Sequence, residues 1–148
     1  MKLSTRSRYG VRFMAALANG SAEKSLFLKD IAASEGISEK YLSLIVIPLR
    51  AAGLIKSLRG AHGGYILAKD AHDITLCDIV EVLEGEMCLV RCVKQPSACE
   101  RSAICPTRDI WDTLGNKIRE TLKGVTIADL AELKKEKIKK LQKNMRNN

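Results

Sequence analysis

Three glycines in six residues, within Arg59-Gly60-Ala61-His62-Gly63-Gly64, constrain this chain more than any other segment. Glycine tolerates positive φ and close backbone approach, which suits the tip of a tight hairpin between two β-like runs, Leu54–Leu58 and Tyr65–Ala68. Just upstream, one short helix fits Leu28–Glu35 and closes at Gly36. Ser38 can cap another that runs to Ala52 and stops at Gly53. Two short helices joined across Gly36-Ile37-Ser38 form a helix-turn-helix, whose second helix can enter a major groove. A glycine-tipped hairpin following at once makes the pattern a winged helix. The hairpin could be a simple connector, but Arg59 and His62 sit at its tip without an acidic neighbour in sequence. Pro48 inside the second helix costs about 3 kcal/mol, which predicts a kink or a tightened last turn there.

Helices complete the chain on either side. Ser4 or Thr5 can cap a first helix reaching Ala18, with Tyr9, Phe13 and Leu17 on one face. Thr75 and Asp78 form a capping box for a helix whose stripe is Leu76, Ile79, Val80 and Leu83, ending at Gly85. Residues 86–105 show no periodicity, and long irregular loops of this kind are functional or disordered. Pro106 opens a long helix with Ile110, Trp111, Leu114, Ile118 and Leu122 on one face. That stripe has little else to pack on, so a two-fold partner is expected, with Gly115 allowing close approach. Thr126 and Asp129 box the start of a last helix that fades into a Lys-rich, fraying tail. The expected class is mainly α with a small β-hairpin wing. Its parts are a winged helix-turn-helix domain (1–85), a cysteine-rich loop (86–105), dimerisation helices (106–133) and a basic tail (134–148).

Charge sharpens this division. The 148 residues carry 25 Lys+Arg against 17 Asp+Glu, a net +8. Residues 1–69 hold +7, residues 70–133 hold −5 and the last fifteen hold +6. A basic N-terminal half points to a polyanion such as nucleic acid, and the acidic middle argues against a uniform basic coat. The longest apolar run, Leu44–Leu49, is too short to span a bilayer. Phe13–Ala18, behind Arg6, Arg8 and Arg12, is shorter than a secretory core and reads as helix, so the expected compartment is the cytoplasm and no membrane partner is expected.

The five cysteines stand at 77, 88, 92, 99 and 105. Cys77 lies beside an apolar stripe and reads as structural. In a reducing compartment, clustered loop cysteines suit metal ligation or redox chemistry better than disulfides. Cys92, Cys99 and Cys105 lack the tight pairs that structural zinc prefers. Looser thiolate spacing suits an iron–sulfur cluster; zinc or a thiol switch stand as alternatives. His62 on the wing and His72 before Thr75 have no nucleophile beside them, which argues against an enzyme.

In combination, three segments closely resemble the bacterial winged-helix regulators that include IscR, NsrR and CymR. They are Leu3-Ser4-Thr5-Arg6-Ser7-Arg8-Tyr9-Gly10, Ile37-Ser38-Glu39-Lys40-Tyr41-Leu42 and Arg59-Gly60-Ala61-His62-Gly63-Gly64-Tyr65. Cys92…Cys99…Cys105, the Trp111 helix and Val125-Thr126-Ile127-Ala128-Asp129-Leu130 extend the resemblance to about Leu133. It implies a homodimeric DNA-binding repressor or activator acting on a double-stranded operator, closest to the cluster-binding branch. In that branch three cysteines hold a 2Fe–2S or 4Fe–4S cluster, 2Fe–2S being the expectation here. IscR-like proteins place a histidine ligand where this chain has Arg108, and NsrR-like ones use an acidic residue where it has Arg8. Cys88 is therefore the expected protein substitute, against another side chain, a partner residue or an external ligand. A cluster-free thiol or metabolite sensor of the CymR type is the runner-up.

The resemblance also points to DNA contacts at Ser38, Lys40, Tyr41 and Ser43 in the first turns of the second helix, and at Arg59, Gly60, His62, Gly63 and Gly64 on the wing. Lys40 can serve a phosphate or a guanine. Arg59 would enter a narrow minor groove, and the wing glycines would let the backbone approach phosphate.

Overall fold

A computed structural model describes residues 3–20, 24–60 and 63–146. Helices α1 (Thr5–Asn19), α2 (Leu28–Glu35) and α3 (Glu39–Ala51) lead into an antiparallel hairpin of β1 (Ile55–Leu58) and β2 (Gly64–Leu67). Then come α4 (Leu76–Glu84), the single turn α5 (Arg91–Lys94), α6 (Pro106–Lys123) and α7 (Ile127–Arg146). This is the expected mainly helical winged architecture. The Ser4 hydroxyl caps α1 by accepting from Ser7 N, Gly36 closes α2 in the left-handed region at φ 62°, and the Ser38 hydroxyl caps α3. Helix α3 runs through Pro48 and ends in the tightened turn expected, with Gly53 N donating to Arg50 O at 3.0 Å.

The core lies where α1, α3 and α4 meet the root of the hairpin. Phe13, Met14, Leu42, Leu49, Ile74, Ile79 and Ile127 have no exposed surface. Gly10 is the point of closest α1–α4 approach, since a β-carbon there would stand 2.2 Å from Leu83 Cδ1. In the hairpin, Ile55 faces Leu67 and Leu58 faces Gly64. A third short piece joins it: Leu26 exchanges both backbone hydrogen bonds with Tyr65, at 3.0 and 2.8 Å. No pattern in the sequence marks this strap.

Helix α7 starts on the winged-helix body. The segment 127–133, grouped by sequence with the dimerisation helices, packs on α1 and buries Ile127 and Ala131. Twin capping boxes explain why. Thr75 with Asp78 and Thr126 with Asp129 sit side by side, bridged by Leu76 N to Val125 O and Ile127 N to Ile74 O. α7 is thus started from within the winged-helix body. It also continues without a break to Arg146, where a frayed tail was expected. No described helix is long and apolar enough to cross a membrane.

Candidate nucleic-acid interface and cysteine loop

The exposed side of α3 begins at its cap. Ser38 and Lys40 are exposed, and the Ser38 hydroxyl is engaged in accepting from Tyr41 N. Tyr41 is half-buried, its ring edge-on to Tyr9 at 5.9 Å, so it fixes α3 against α1 as much as it faces outward. Ser43 donates its hydroxyl to Lys40 O at 2.7 Å, a local bond that satisfies its only donor. Leu44 and Ile47 are each 56% exposed on this helix. Reading 44–49 as one apolar run hid them, although their spacing from Lys40 (four and seven residues) puts them on its face.

On the wing, Arg59 and Gly60 are exposed and Gly60 adopts φ 97°. His62 lies outside the described residues. Gly63 and Gly64 also pack within the chain. Gly63 is buried and its carbonyl accepts from Ser25 Oγ at 2.8 Å. At Gly64, φ is 131° and a β-carbon would stand 2.5 Å from Leu26 O. The close backbone approach that Gly64 permits is therefore to the chain's own 25–26 strap, which roots the wing, while a β-carbon at Gly63 would stand 2.8 Å from Gly60 O and 2.9 Å from Leu58 O within the wing itself.

The loop 86–105 is built from single turns rather than irregular chain: α5, then 3₁₀ turns at Pro96–Ala98 and Ser102–Ile104. Its four cysteines are free thiols. Cys88 Sγ donates to Val90 O at 2.9 Å. Cys105 immediately precedes α6, where the Thr107 hydroxyl at 3.2 Å and the Arg108 backbone N–H hold its pKa below the ordinary thiol value. Cys77, by contrast, is buried in α4, and desolvation with Glu81 nearby pushes its pKa up, as a structural thiol requires. The donor set has the chemistry an iron–sulfur cluster needs, three thiols outside any disulfide. Its geometry is open, however. Among the described residues no three His, Cys, Asp or Glu side chains come together closely enough to hold a metal ion. Cys92, Cys99, Cys105 and Cys88 are placed on one loop but are not brought together.

Arg108 stands where a histidine ligand was looked for, and it has its own task. Its Nε donates to Cys92 O at 2.9 Å and its Nη2 to Val93 O at 3.4 Å, bracing α5 against the first turn of α6. Farther along, Arg119 donates to Glu81 at 3.1 Å and ties α6 to α4. Helix α6 has no buried residue: Ile110 is 60%, Trp111 41% and Leu114 44% exposed, and a β-carbon at Gly115 would meet nothing within 4 Å.

The chain is similar to known proteins in sequence and in fold. A family model described as Rrf2, iron-dependent transcriptional regulator, matches residues 3–133. Protein rrf2 of Nitratidesulfovibrio vulgaris is 45% identical over 130 residues, which cover 88% of this chain and 87% of that one. The solved structure of CymR, the global cysteine regulator of B. subtilis, is 39% identical with a TM-score of 0.76, covering 90% of this chain and 98% of that one. T. potens IscR, also 39% identical, superposes with a TM-score of 0.72 over 89% of this chain and 87% of its own.

Proposed function

The chain belongs to the Rrf2 family of DNA-binding transcriptional regulators, which are not enzymes, and from that premise we propose a homodimer that binds a two-fold operator and responds to an iron–sulfur cluster on its cysteine loop. The observation that carries the dimer is the bare apolar stripe of α6: an 18-residue helix with Trp111 and Leu114 exposed and nothing buried. A second α6 covers it, and two α3 helices then address half-sites about one helical turn apart, roughly 34–36 Å. Ser38 and Lys40 on α3, with Tyr41 and Ser43 behind them, meet the major groove, and Arg59 with Gly60 meets the minor groove. His62, Gly63 and Gly64 serve the wing whose tip delivers Arg59. Leu114→Lys is expected to give a monomer by sedimentation with unchanged helicity. Arg59→Ala is expected to lose specific affinity at fixed salt.

Cys92, Cys99 and Cys105 would hold the cluster, with Cys88 completing the set. Such a cluster supplies a centre whose occupancy and charge respond to iron supply, oxidants and nitric oxide. The residues around it are suited to passing on a change of loop shape. Arg108 ties the turn carrying Cys92 to α6, and Arg119 ties α6 to α4 of the winged helix. The test is anaerobic purification with iron and sulfide counts. A brown protein with about stoichiometric iron, altered spectrally by Cys88→Ser, supports the reading. The open arrangement of the thiols favours one second reading, a cluster-free thiol sensor. A colourless, iron-free protein that still binds DNA would establish that one instead.

A further inference from the structure

Glu35 is the only charged side chain buried among the described residues, at 8% exposed. It is the last residue of α2, immediately before Gly36 turns the chain into α3. A carboxylate there is penalised twice, by desolvation and by the negative end of the helix dipole. Two cations offset this from two other helices. Arg12 of α1 donates Nε to Oε2 at 3.0 Å and Nη2 to the Glu35 carbonyl, so one guanidinium holds both the side chain and the open backbone end of α2. Lys134 of α7 donates to Oε1. Arg12 also lies over the Tyr9 ring at 5.6 Å, and Tyr9 packs on Tyr41 of α3. Contacts therefore run without a gap from α7 through Glu35 and Arg12 to the recognition helix.

The apolar contacts of α7 with the core lie before this level, at Ile127, Leu130 and Ala131. Beside the ion pair lies a groove of about 490 Å³ between α1, α2 and α7, lined by Leu26, Asp30, Ile31, Ser34 and Ile138. Apolar packing between α2 and α7 is thus incomplete there, and the Glu35–Lys134 contact spans the gap. Lys134 stands one residue past the segment that matches the family. α7 itself follows α6 across Gly124, so its position is tied to the helix proposed to carry the partner subunit.

We propose that Glu35 is a positioning residue for DNA recognition: gripped by Arg12 and Lys134, it fixes the α2–α3 turn and lets α7 set the tilt of α3. This rests on α3 reading DNA, and on no property of the cysteine loop. The test uses the full chain and a duplex of about 30 base pairs selected by the unaltered protein from a random pool, enough for two half-sites. Binding is read by fluorescence anisotropy at several salt concentrations. Glu35→Gln and Lys134→Met should each weaken binding by about 3- to 30-fold. The double variant should be no weaker than the worse single one, and Lys134→Arg should restore affinity to within about twofold. The slope of log affinity against log salt should stay unchanged, because no phosphate contact is lost. Wild-type affinity in Lys134→Met, or losses that simply add, would overturn the proposal. So would a slope reduced by about one unit, which marks a phosphate contact instead. Lys134 is half-exposed and outside the apolar core, so its variants fold even if Glu35→Gln does not. Arg59→Ala run beside them reports on the wing reading separately, since its failure leaves the Lys134 comparison intact.

Discussion

Cys77 and Cys105 mark two regions governed by different physics. Cys77 sits in the winged-helix body, where α1, α3, α4 and the first turn of α7 close over side chains with no solvent contact. Cys105 sits between the single turns of the loop and a helix that buries nothing. The body is stabilised within one chain, by apolar burial. The loop and α6 are held to it by polar contacts, Arg108 to the Cys92 carbonyl and Arg119 to Glu81, and keep their apolar surface for something else. The proposed function would use this asymmetry: a rigid body to meet DNA, and a loosely held segment of low local stability to respond.

Alkylation would break or confirm that contrast with the largest effect. In iron-free protein near neutral pH, Cys105 is only half-buried and biased toward thiolate, while Cys77 is buried and biased away from it. Cys77 should react only through unfolding, more slowly than Cys105 by about a thousandfold or more. Mass spectrometry of time-quenched samples reads both rates. Comparable rates would mean that the α4 region opens as freely as the loop.

Truncating apolar side chains tests the same division through stability. Leu42→Ala removes a fully buried side chain and should cost about 2–5 kcal/mol in urea unfolding. Ile104→Ala, at a residue 78% exposed, should fall within about 0.5 kcal/mol. A large loss at Ile104 would show that the loop packs more tightly than its exposure indicates, or that a partner subunit covers it.

The division also explains what could be read from sequence. In the body, local chemistry and burial agree: Ser4, Ser38 and Thr75 cap where expected, and Gly36 takes the left-handed turn. These signals are local, so single-chain patterning exposes them. Contacts between distant positions were not legible. The Ser25–Leu26 strap works through the Leu26 backbone and the Ser25 hydroxyl, which carry little residue signature, and it gives Gly64 a packing reason. The Arg12–Glu35–Lys134 grip joins residues 23 and 99 positions apart, and each of the three reads alone as ordinary surface charge. In the loop, thiol identity was legible but the gathering of the thiols was not. Spacing in sequence does not fix distance where no burial forces a fold.

Acid titration offers a smaller test inside the body. Arg12 and Lys134 hold the Glu35 pKa below the ordinary carboxylate value of about 4.3, outweighing the desolvation that raises it. A depressed folded-state pKa contributes stability that is full above the unfolded value and is lost as pH falls through the folded one. Melting temperature should therefore decline below about pH 4.3, and Glu35→Gln should flatten that part of the decline. If both proteins follow the same acid profile between pH 2 and 7, the grip contributes nothing to folding.

The end of α7 should give the smallest effect, and it sets the limit of the body. Beyond Ile138 every described side chain is exposed, and Lys139, Lys140, Lys143 and Arg146 make no described ion pair. Removing their charge by Lys139→Gln, Lys140→Gln, Lys143→Gln and Arg146→Gln together should leave unfolding stability within about 0.5 kcal/mol. The same variant should bind non-operator DNA with a shallower salt dependence, by about 0.9 in slope for each phosphate contact given up. Stability is settled near Lys134, where α7 still meets Glu35; past that point the helix carries charge that only a polyanion can feel. An unchanged slope would make these cations solubilising surface alone, and a loss of stability would extend the body to the last turn of α7.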